Sequence, residues 1–413
     1  MLSNLLAWTT QYHRLLRHST IILVALSAYG MILWNGAGFS QPDDWFAAGM
    51  DGWGTRPLLT LSYWLNRQLG GGWMIVNLGL HMLASVLVFA LSGTVWAGLL
   101  FAAHPLATDA VASVAGRSSV LCSVFVLGAL LALKRGSMIY WLLLGGCAFF
   151  VKQEAAALLI LSPVCLFALG KRRQAILVTG MMICLAFALW IAWYPFLKES
   201  GRVPALTAVG IRPAPGQIQY FRNFASAVGS YVAPRMVIPV NLNSDPDIRY
   251  SVKSEVAGWM LLPMVLPLIP YAFAPLPDVF LEHRAYLALA MFCILAASVL
   301  RAARLPIVPI VVVLAIGSNQ RIHAYADPTR LLEDAVQKSP NKGRPHINLA
   351  VVYANQKRYA AAKTQLEAAI RVAPEISLGW TSLVTLHLIQ GDMSSASKVL
   401  DSQSEYMKKR TRL

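Results

Sequence analysis

Two carboxylates stand side by side in Pro42-Asp43-Asp44-Trp45. Such a pair in a loop reads as solvated surface charge, as a general base, or as a ligand for a divalent cation. The same stretch carries Asp51, Trp53, Arg56 and Pro57, so acidic, aromatic and basic groups converge there. Asn77 and His81 are four residues apart and share one face of a helix. His104 and Asp109 follow in Phe101-Ala102-Ala103-His104-Pro105-Leu106-Ala107-Thr108-Asp109-Ala110, and then comes Gly116-Arg117. Lys152 and Glu154 flank Gln153, and Glu282-His283-Arg284 with Tyr286 gathers four polar types in five positions. Arg202, Arg212, Arg222, Arg235 and Arg249 crowd one mixed stretch rich in proline and asparagine. Any single cluster also reads as a capped helix end or a packing hydrogen bond. No His or Cys spacing demands a metal, so no residue is assigned as a metal ligand, and a divalent cation stays open only as a cofactor.

What must position these residues is a series of apolar runs. The chain has 413 residues, of which 57% are hydrophobic and 13% charged. A soluble domain carries about 25% charged residues. The runs are Ile21–Trp34, Trp73–Leu91, Val95–Ala103, Val120–Leu133, Ile139–Val151, Ala155–Leu169, Ala175–Trp193, Val256–Ala274, Tyr286–Leu300 and Leu305–Ile316. They predict an all-α, polytopic transmembrane bundle of about nine to eleven spans, with flanking residues completing the shorter ones. No small-residue cleavage site follows the first run, which reads as an anchor. The net charge of +16 is gathered at Arg14 and Arg17, Lys134 and Arg135, Lys171 to Arg173, and Arg301 and Arg304, between runs. That is the positive-inside pattern, so the charge implies no nucleic-acid partner. It puts the N-terminus and alternate connections in the cytoplasm, and the connections at Asp43, His104, Lys152 and Glu199 on the other side. If Asp43 and Glu282 face the same way, an even number of spans separates Lys198 from Glu282. The proline-broken run 261–277 then forms a re-entrant hairpin, or 218–240 crosses as well. Cys122, Cys147, Cys165, Cys184 and Cys293 all lie in apolar runs and read as packing residues.

After Gly317 the composition turns polar, and Pro340 and Pro374 mark a period of 34 residues. Leu349, Ala350, Tyr353, Ala362, Leu366 and Ala369 occupy the positions of a tetratricopeptide repeat; Trp380, Leu383, Gly391, Ala396 and Leu400 continue it. Leu332 and Ala335 read as the end of a preceding copy. The division expected is a membrane domain over 1–320, with outer loops at about 37–72 and 198–255, and repeats over 321–413. So short an array is expected to rest on the membrane domain or on a partner.

The ordered series resembles the membrane-embedded C-type glycosyltransferases. It runs through Asp43-Asp44, Arg56-Pro57-Leu58 with Leu61-Ser62 and Leu65-Asn66, Asn77 and His81, and His104-Pro105 with Asp109. It continues with Gly116-Arg117, Lys152 with Glu154, Glu282-His283-Arg284 with Tyr286, and the repeats. Within that superfamily the chain looks most like bacterial relatives of the transmembrane, tetratricopeptide-repeat protein O-mannosyltransferases. The resemblance implies transfer of a sugar from a polyprenyl-phosphate-linked donor to a hydroxyl of an exported acceptor, a protein Ser or Thr. An acidic residue of the first outer loop then stands at the reaction centre, a role that falls on Asp43 or Asp44. Arg117 and Arg284, with Lys152, Arg222 and Arg235, become the clamp on the donor phosphate. Arg56, Asn77, His81, His104, Asp109, Glu154, Glu282, His283 and Tyr286 complete the candidate site. The expected location is a bacterial inner membrane, with site and repeats on the periplasmic side and the repeats contacting the acceptor. The chain departs from the family in having one span fewer before Glu282-His283-Arg284 and a shorter array. Transfer to a lipid or glycan, en bloc oligosaccharide transfer and a membrane-anchored scaffold remain as alternatives. A transporter fits less well, because transporters place their sites near the midplane.

Overall fold

The computed structural model describes residues 2–34, 56–184, 217–247, 251–254, 262–272 and 280–411. Regular structure among them is helical throughout. The membrane part contains α1 (Leu2–Tyr29), α2 (Pro57–Gln68), α3 (Trp73–Ser92), α4 (Val95–Ala103), α5 (Thr108–Ala112), α6 (Arg117–Lys134), α7 (Met138–Phe149) and α8 (Leu158–Ala168). After a helix at 172–184 it continues with α9 (Gln217–Ala227), α10 (Tyr286–Ala302) and α11 (Ile307–Tyr325).

Four helical stretches among the described residues are long and apolar enough to cross a bilayer: Trp73–Ser92, Arg117–Lys134, Glu282–Ala302 and Ile307–Tyr325. A fifth is the bent pair Val95–Ala103 and Pro105–Ala112. The runs expected at 139–151 and 155–169 form shorter apolar helices, as does Leu15–Tyr29. The run at 256–274 is described only over 262–272, where it is broken into short helices, so against the nine to eleven spans expected, the described residues contain four helices of span length, or five with the bent pair.

Local chemistry explains where the helices stop. α3, apolar but for Asn77, His81 and its serines, ends at Gly93, whose φ of 75° suits a residue without a Cβ. α4 ends at His104, which takes an extended conformation because the Pro105 ring disfavours helix in the residue before it. The chain turns there by 57° and carries α5, with Asp109, into the interior. Gly116 lets the start of α6 lie against α5: a Cβ there would meet the Ala110 carbonyl oxygen at 2.4 Å.

One apolar core runs from Ile21 through α3, α4, α6, α10 and α11 to Leu331. Outward-facing side chains on helices of the membrane part, such as Leu143 on α7, Ile176 and Leu177 on the helix 172–184 and Val313 on α11, are exposed and apolar. Aqueous surface would select against such a continuous coat, and lipid selects for it. Cys122 and Cys293 are packed in the interior as expected, whereas Cys184 lies on the exposed side.

Beyond α11 come α12 (Pro328–Lys338), α13 (Gly343–Asn355), α14 (Tyr359–Val372), α15 (Ser377–Ile389) and α16 (Met393–Thr411). Leu332, Leu349, Ala350, Tyr353, Ala362, Leu366, Leu383 and Leu386 form a second core between them. All but Leu386 are repeat positions read from the period, whereas Leu400, also read as one, is exposed. Small residues at Ala350 and Ala362 let α13 and α14 approach, and Tyr353 and Leu366 fill the space beside them.

Candidate active site

Helix ends that alternate along the chain come together at one end of the bundle, and polar clusters that fall among the described residues meet there. Asp109, buried on α5, is read from three directions. Its Oδ2 accepts from the His283 backbone N–H (3.0 Å) and from His283 Nδ1 (3.1 Å), and its Oδ1 accepts from the Tyr325 hydroxyl (3.0 Å). The carboxylate can only accept, so Nδ1 of His283 carries the proton.

Glu282, fully buried, holds the adjoining cluster. Its Oε1 accepts from the Tyr231 hydroxyl and from the Asn243 backbone N–H (3.0 Å). Its Oε2 pairs with the Arg321 guanidinium, whose Nη1 also donates to the Pro105 carbonyl at 3.2 Å. Arg321 and Tyr325 are four apart on α11, so a single helical face serves both carboxylates. A buried carboxylate survives as an ion only when paired and hydrogen-bonded, and Arg321 supplies the pairing for Glu282.

A third group surrounds the link between α7 and α8. Lys152 Nζ donates to Ser119 Oγ (2.5 Å) and lies 3.4 Å from Glu154 Oε2, which also accepts from the Tyr271 hydroxyl (2.9 Å). Glu154 Oε1 is buried without a hydrogen-bond partner among the described residues. The guanidinium of Arg284 lies over the same Tyr271 ring, 5.6 Å from its centroid. Arg56 reaches in from the start of α2 and donates to Gln153 Oε1 at 3.0 Å. Arg235 stacks 3.8 Å from the Tyr231 ring centroid and donates to the Asn241 carbonyl (3.3 Å), and Arg222 is half-buried on α9.

Other singled-out residues join helices to one another. Arg117 is fully buried. It donates from Nε to Asn77 Oδ1 (2.8 Å), from Nη1 to the Ser62 carbonyl (3.3 Å), and from Nη2 to Asn66 Oδ1 (2.5 Å) and the Trp73 carbonyl (2.6 Å). Its fork is engaged by α2 and α3 and lies under the Tyr63 and Trp73 rings. His81 donates from Nε2 to the Ala102 carbonyl (3.3 Å) and accepts the Tyr286 hydroxyl at Nδ1 (2.6 Å), tying α3 to α4 and α10. His104 donates from Nε2 to the Met236 carbonyl (3.1 Å) and accepts the Leu106 N–H at Nδ1 (3.2 Å).

Asp43 and Asp44, assigned the central role from the sequence, lie outside the described residues, as do Arg202, Arg212 and Arg249. Among the described residues no three His, Cys, Asp or Glu side chains stand close enough together to hold a metal ion. Sequence reasoning missed Arg321, Tyr325, Tyr231, Tyr271 and Asn243. Arg321 did leave a signal: a guanidinium one turn past an apolar run, four residues before a tyrosine, is costly at membrane depth and calls for a partner.

The class these features define is a multi-pass membrane protein whose buried acid–base groups collect at one end of the bundle, followed by a helical-repeat tail. A comparison with curated proteins finds it similar to protein O-mannosyl-transferases. It is 36% identical over 129 residues to Tmtc1 of Drosophila melanogaster, which covers 27% of this chain and 15% of that protein. It is 33% identical over 133 residues to TMTC2 of Homo sapiens and 37% identical over 133 residues to tmtc2 of Xenopus laevis; each match covers 26% of this chain and 16% of the relative. The matched stretch is thus a small part of either chain. No protein-family profile and no solved structure matches. These relatives are animal proteins, which corrects two expectations: kinship with bacterial members of the group, and placement in a bacterial inner membrane with a periplasmic site. The multi-pass membrane character is unaffected.

Proposed function

We propose that the protein is a membrane glycosyltransferase that moves a sugar from a polyprenyl-phosphate-linked donor to a Ser or Thr hydroxyl of a protein. The observation that carries this reading is the convergence of Asp109, His283, Glu282, Arg321, Lys152, Glu154 and Arg284 at one end of an apolar bundle. Similarity to protein O-mannosyl-transferases supports the same chemistry.

In this reading residues 1–320 form the transferase domain and 321–413 the repeat domain that contacts the acceptor. One of Asp43 and Asp44 takes the proton of the acceptor hydroxyl as its oxygen attacks sugar C1 and the bond to the lipid phosphate breaks. The leaving phosphate needs cationic stabilisation. That role is assigned to Arg284 and Lys152, with Arg222 and Arg235 from the segment before Glu282. Arg117, whose donors are engaged by α2 and α3, serves by positioning those helices. Arg56, Glu154, Asp109, His283 and Glu282 hold the site in register, and Asn77, His81, His104 and Tyr286 lock the helices behind it.

The test is transfer by the purified protein, reconstituted in lipid, from polyprenyl-phosphate hexoses to Ser/Thr peptides. Wild type should transfer. Loss of the base costs about 10²–10⁴-fold in rate, so one of Asp43→Asn and Asp44→Asn should fall that far and the other should not. No transfer by wild type from any such donor would sink the reading, and two fully active variants would remove the base from this loop. A membrane-anchored scaffold predicts partner capture indifferent to both substitutions.

A further inference from the structure

The turn between α12 and α13 is tied to the candidate site by a chain of hydrogen bonds that runs through residues 238–247. Ser339, the residue after α12, is fully buried. Its hydroxyl accepts from Asn243 Nδ2 (2.8 Å) and from the Asp247 backbone N–H (3.0 Å), and donates to the Asp245 carbonyl (3.0 Å). All its bonding capacity is used, a completeness that a polar contact acquires when it is part of the fold. Lys338 donates to the Leu242 carbonyl at 2.8 Å, and Lys342 forms an ion pair with Asp245. At the other end, the Asn243 backbone N–H donates to Glu282 Oε1 (3.0 Å) and to the Tyr231 hydroxyl (2.7 Å). The Tyr231 hydroxyl in turn donates to Glu282. Asn243 therefore faces the first repeat helix with its side chain and the buried carboxylate with its main chain. Residues 238–247 have no regular structure of their own, yet Asn243, Ser244 and Asp245 are buried. Their place is decided by what lies on either side.

We propose that the turn at Ser339 is a working part of the candidate site: Ser339 and Asn243 are positioning residues that hold Glu282, and through it Arg321, whether or not the repeats are engaging an acceptor. The proposal rests on the transferase reading above. It adds that the repeat domain acts on turnover itself and not only on acceptor affinity. Loss of a hydroxyl that carries three hydrogen bonds loosens the loop, and a displacement of about 1 Å away from the reacting atoms can cost 10²-fold in rate.

The experiment uses the full chain in lipid, with Ser339→Ala, Asn243→Ala and the milder Lys342→Ala. Transfer is measured to a Ser/Thr peptide too short to reach from the site to the repeats, and to a long one. Amide exchange at Asn243 is followed in the same samples. We expect kcat for the short acceptor to fall about 10- to 100-fold in the first two variants and less in the third. KM for the long acceptor should stay within twofold, and exchange at Asn243 should quicken at least tenfold. A repeat domain that only binds acceptor would raise KM for the long peptide and leave kcat for the short one at its wild-type value; that result overturns the proposal. So does unchanged exchange at Asn243 in Ser339→Ala. If Ser339→Ala does not fold, Lys342→Ala decides on the same two readouts. If wild type transfers no sugar, the transferase reading fails, and the claim about turnover fails with it; exchange at Asn243 still reports separately whether Ser339 holds the loop.

Discussion

Buried charge at the residue scale is held in two ways, by neutral acceptors around Arg117 and by ion pairs such as Lys152 with Glu154, and the cost of breaking one pairing differs from the cost of removing it whole. Arg117 makes four hydrogen bonds to side chains and carbonyls of α2 and α3. Hydrogen bonds to a charged group contribute about 1.5–3 kcal/mol each. Arg117→Lys keeps the charge but cannot reproduce the planar fork, so it should destabilise by about 3 kcal/mol or more, seen as a lower melting temperature of the purified protein. A melting temperature equal to wild type would mean that the fork is not what holds α2 on α3. Lys152 and Glu154 make a second test. Lys152→Met leaves the Glu154 carboxylate buried without its cation and should cost about 3–5 kcal/mol. Adding Glu154→Gln removes that charge while keeping an acceptor for the Tyr271 hydroxyl, and should recover most of the loss. If the double variant is no more stable than the single one, the two groups are not energetically coupled.

Elements obey local rules that are written in the chain, and the site depends on where those rules are broken. The bend at His104-Pro105 and the close approach at Gly116 bring Asp109 inward and set α6 beside it. Gly116→Ala would push a methyl into the Ala110 carbonyl, and overpacking of this kind costs about 1–3 kcal/mol. The expected result is a lowered melting temperature with transfer falling in parallel; a fully stable variant would show that α5 and α6 can separate freely. At the far end of the chain, Asp392 caps α16 by accepting from the Ser395 backbone N–H (3.0 Å). The Ser395 hydroxyl and N–H hold its carboxyl below the usual carboxylate range. A depressed pKa stabilises fully above the ordinary value, and the contribution is lost as pH falls through the lowered one. Amide exchange in the first turn of α16 should therefore quicken as pH falls through the acid range, after correction for the intrinsic rate, and should not do so in Asp392→Asn.

For the whole molecule, the same degree of exposure means different things in its two parts. Val313, near the middle of α11, is 68% exposed, and Leu388 on α15 is 47% exposed. The first is read as facing lipid and the second water. A lysine near the centre of a span costs about 2.5–3.5 kcal/mol on insertion. Val313→Lys should thus sharply reduce the yield of membrane-inserted protein, while Leu388→Lys should be tolerated. Equal yields would place α11 away from lipid. The solvent on each side also explains why apolar runs outnumber the span-length helices among the described residues. A run records what is compatible with lipid, whereas Pro105 decides that one helix bends, and the 3-10 turn Gln153–Ala157 comes between two short ones.

Apolar runs, basic clusters and the 34-residue period are local patterns, and each reports the solvent or the repeat partner that a single element requires. By themselves they determined that the chain is an all-α membrane bundle with a helical-repeat tail, and the repeat core followed from the spacing of Leu349, Tyr353, Ala362 and Leu366. The meeting of Asp109 with His283 and Tyr325, and of Glu282 with Tyr231 and Arg321, spans up to 216 residues of chain. No local pattern encodes which of several polar groups will share a buried pocket. That choice is made by packing, because a buried carboxylate must find whichever donors the folded helices bring within reach. The tertiary structure likewise decided that Arg117 faces Asn66 and Asn77, and that Ser339 of the repeat tail reaches the loop that holds Glu282.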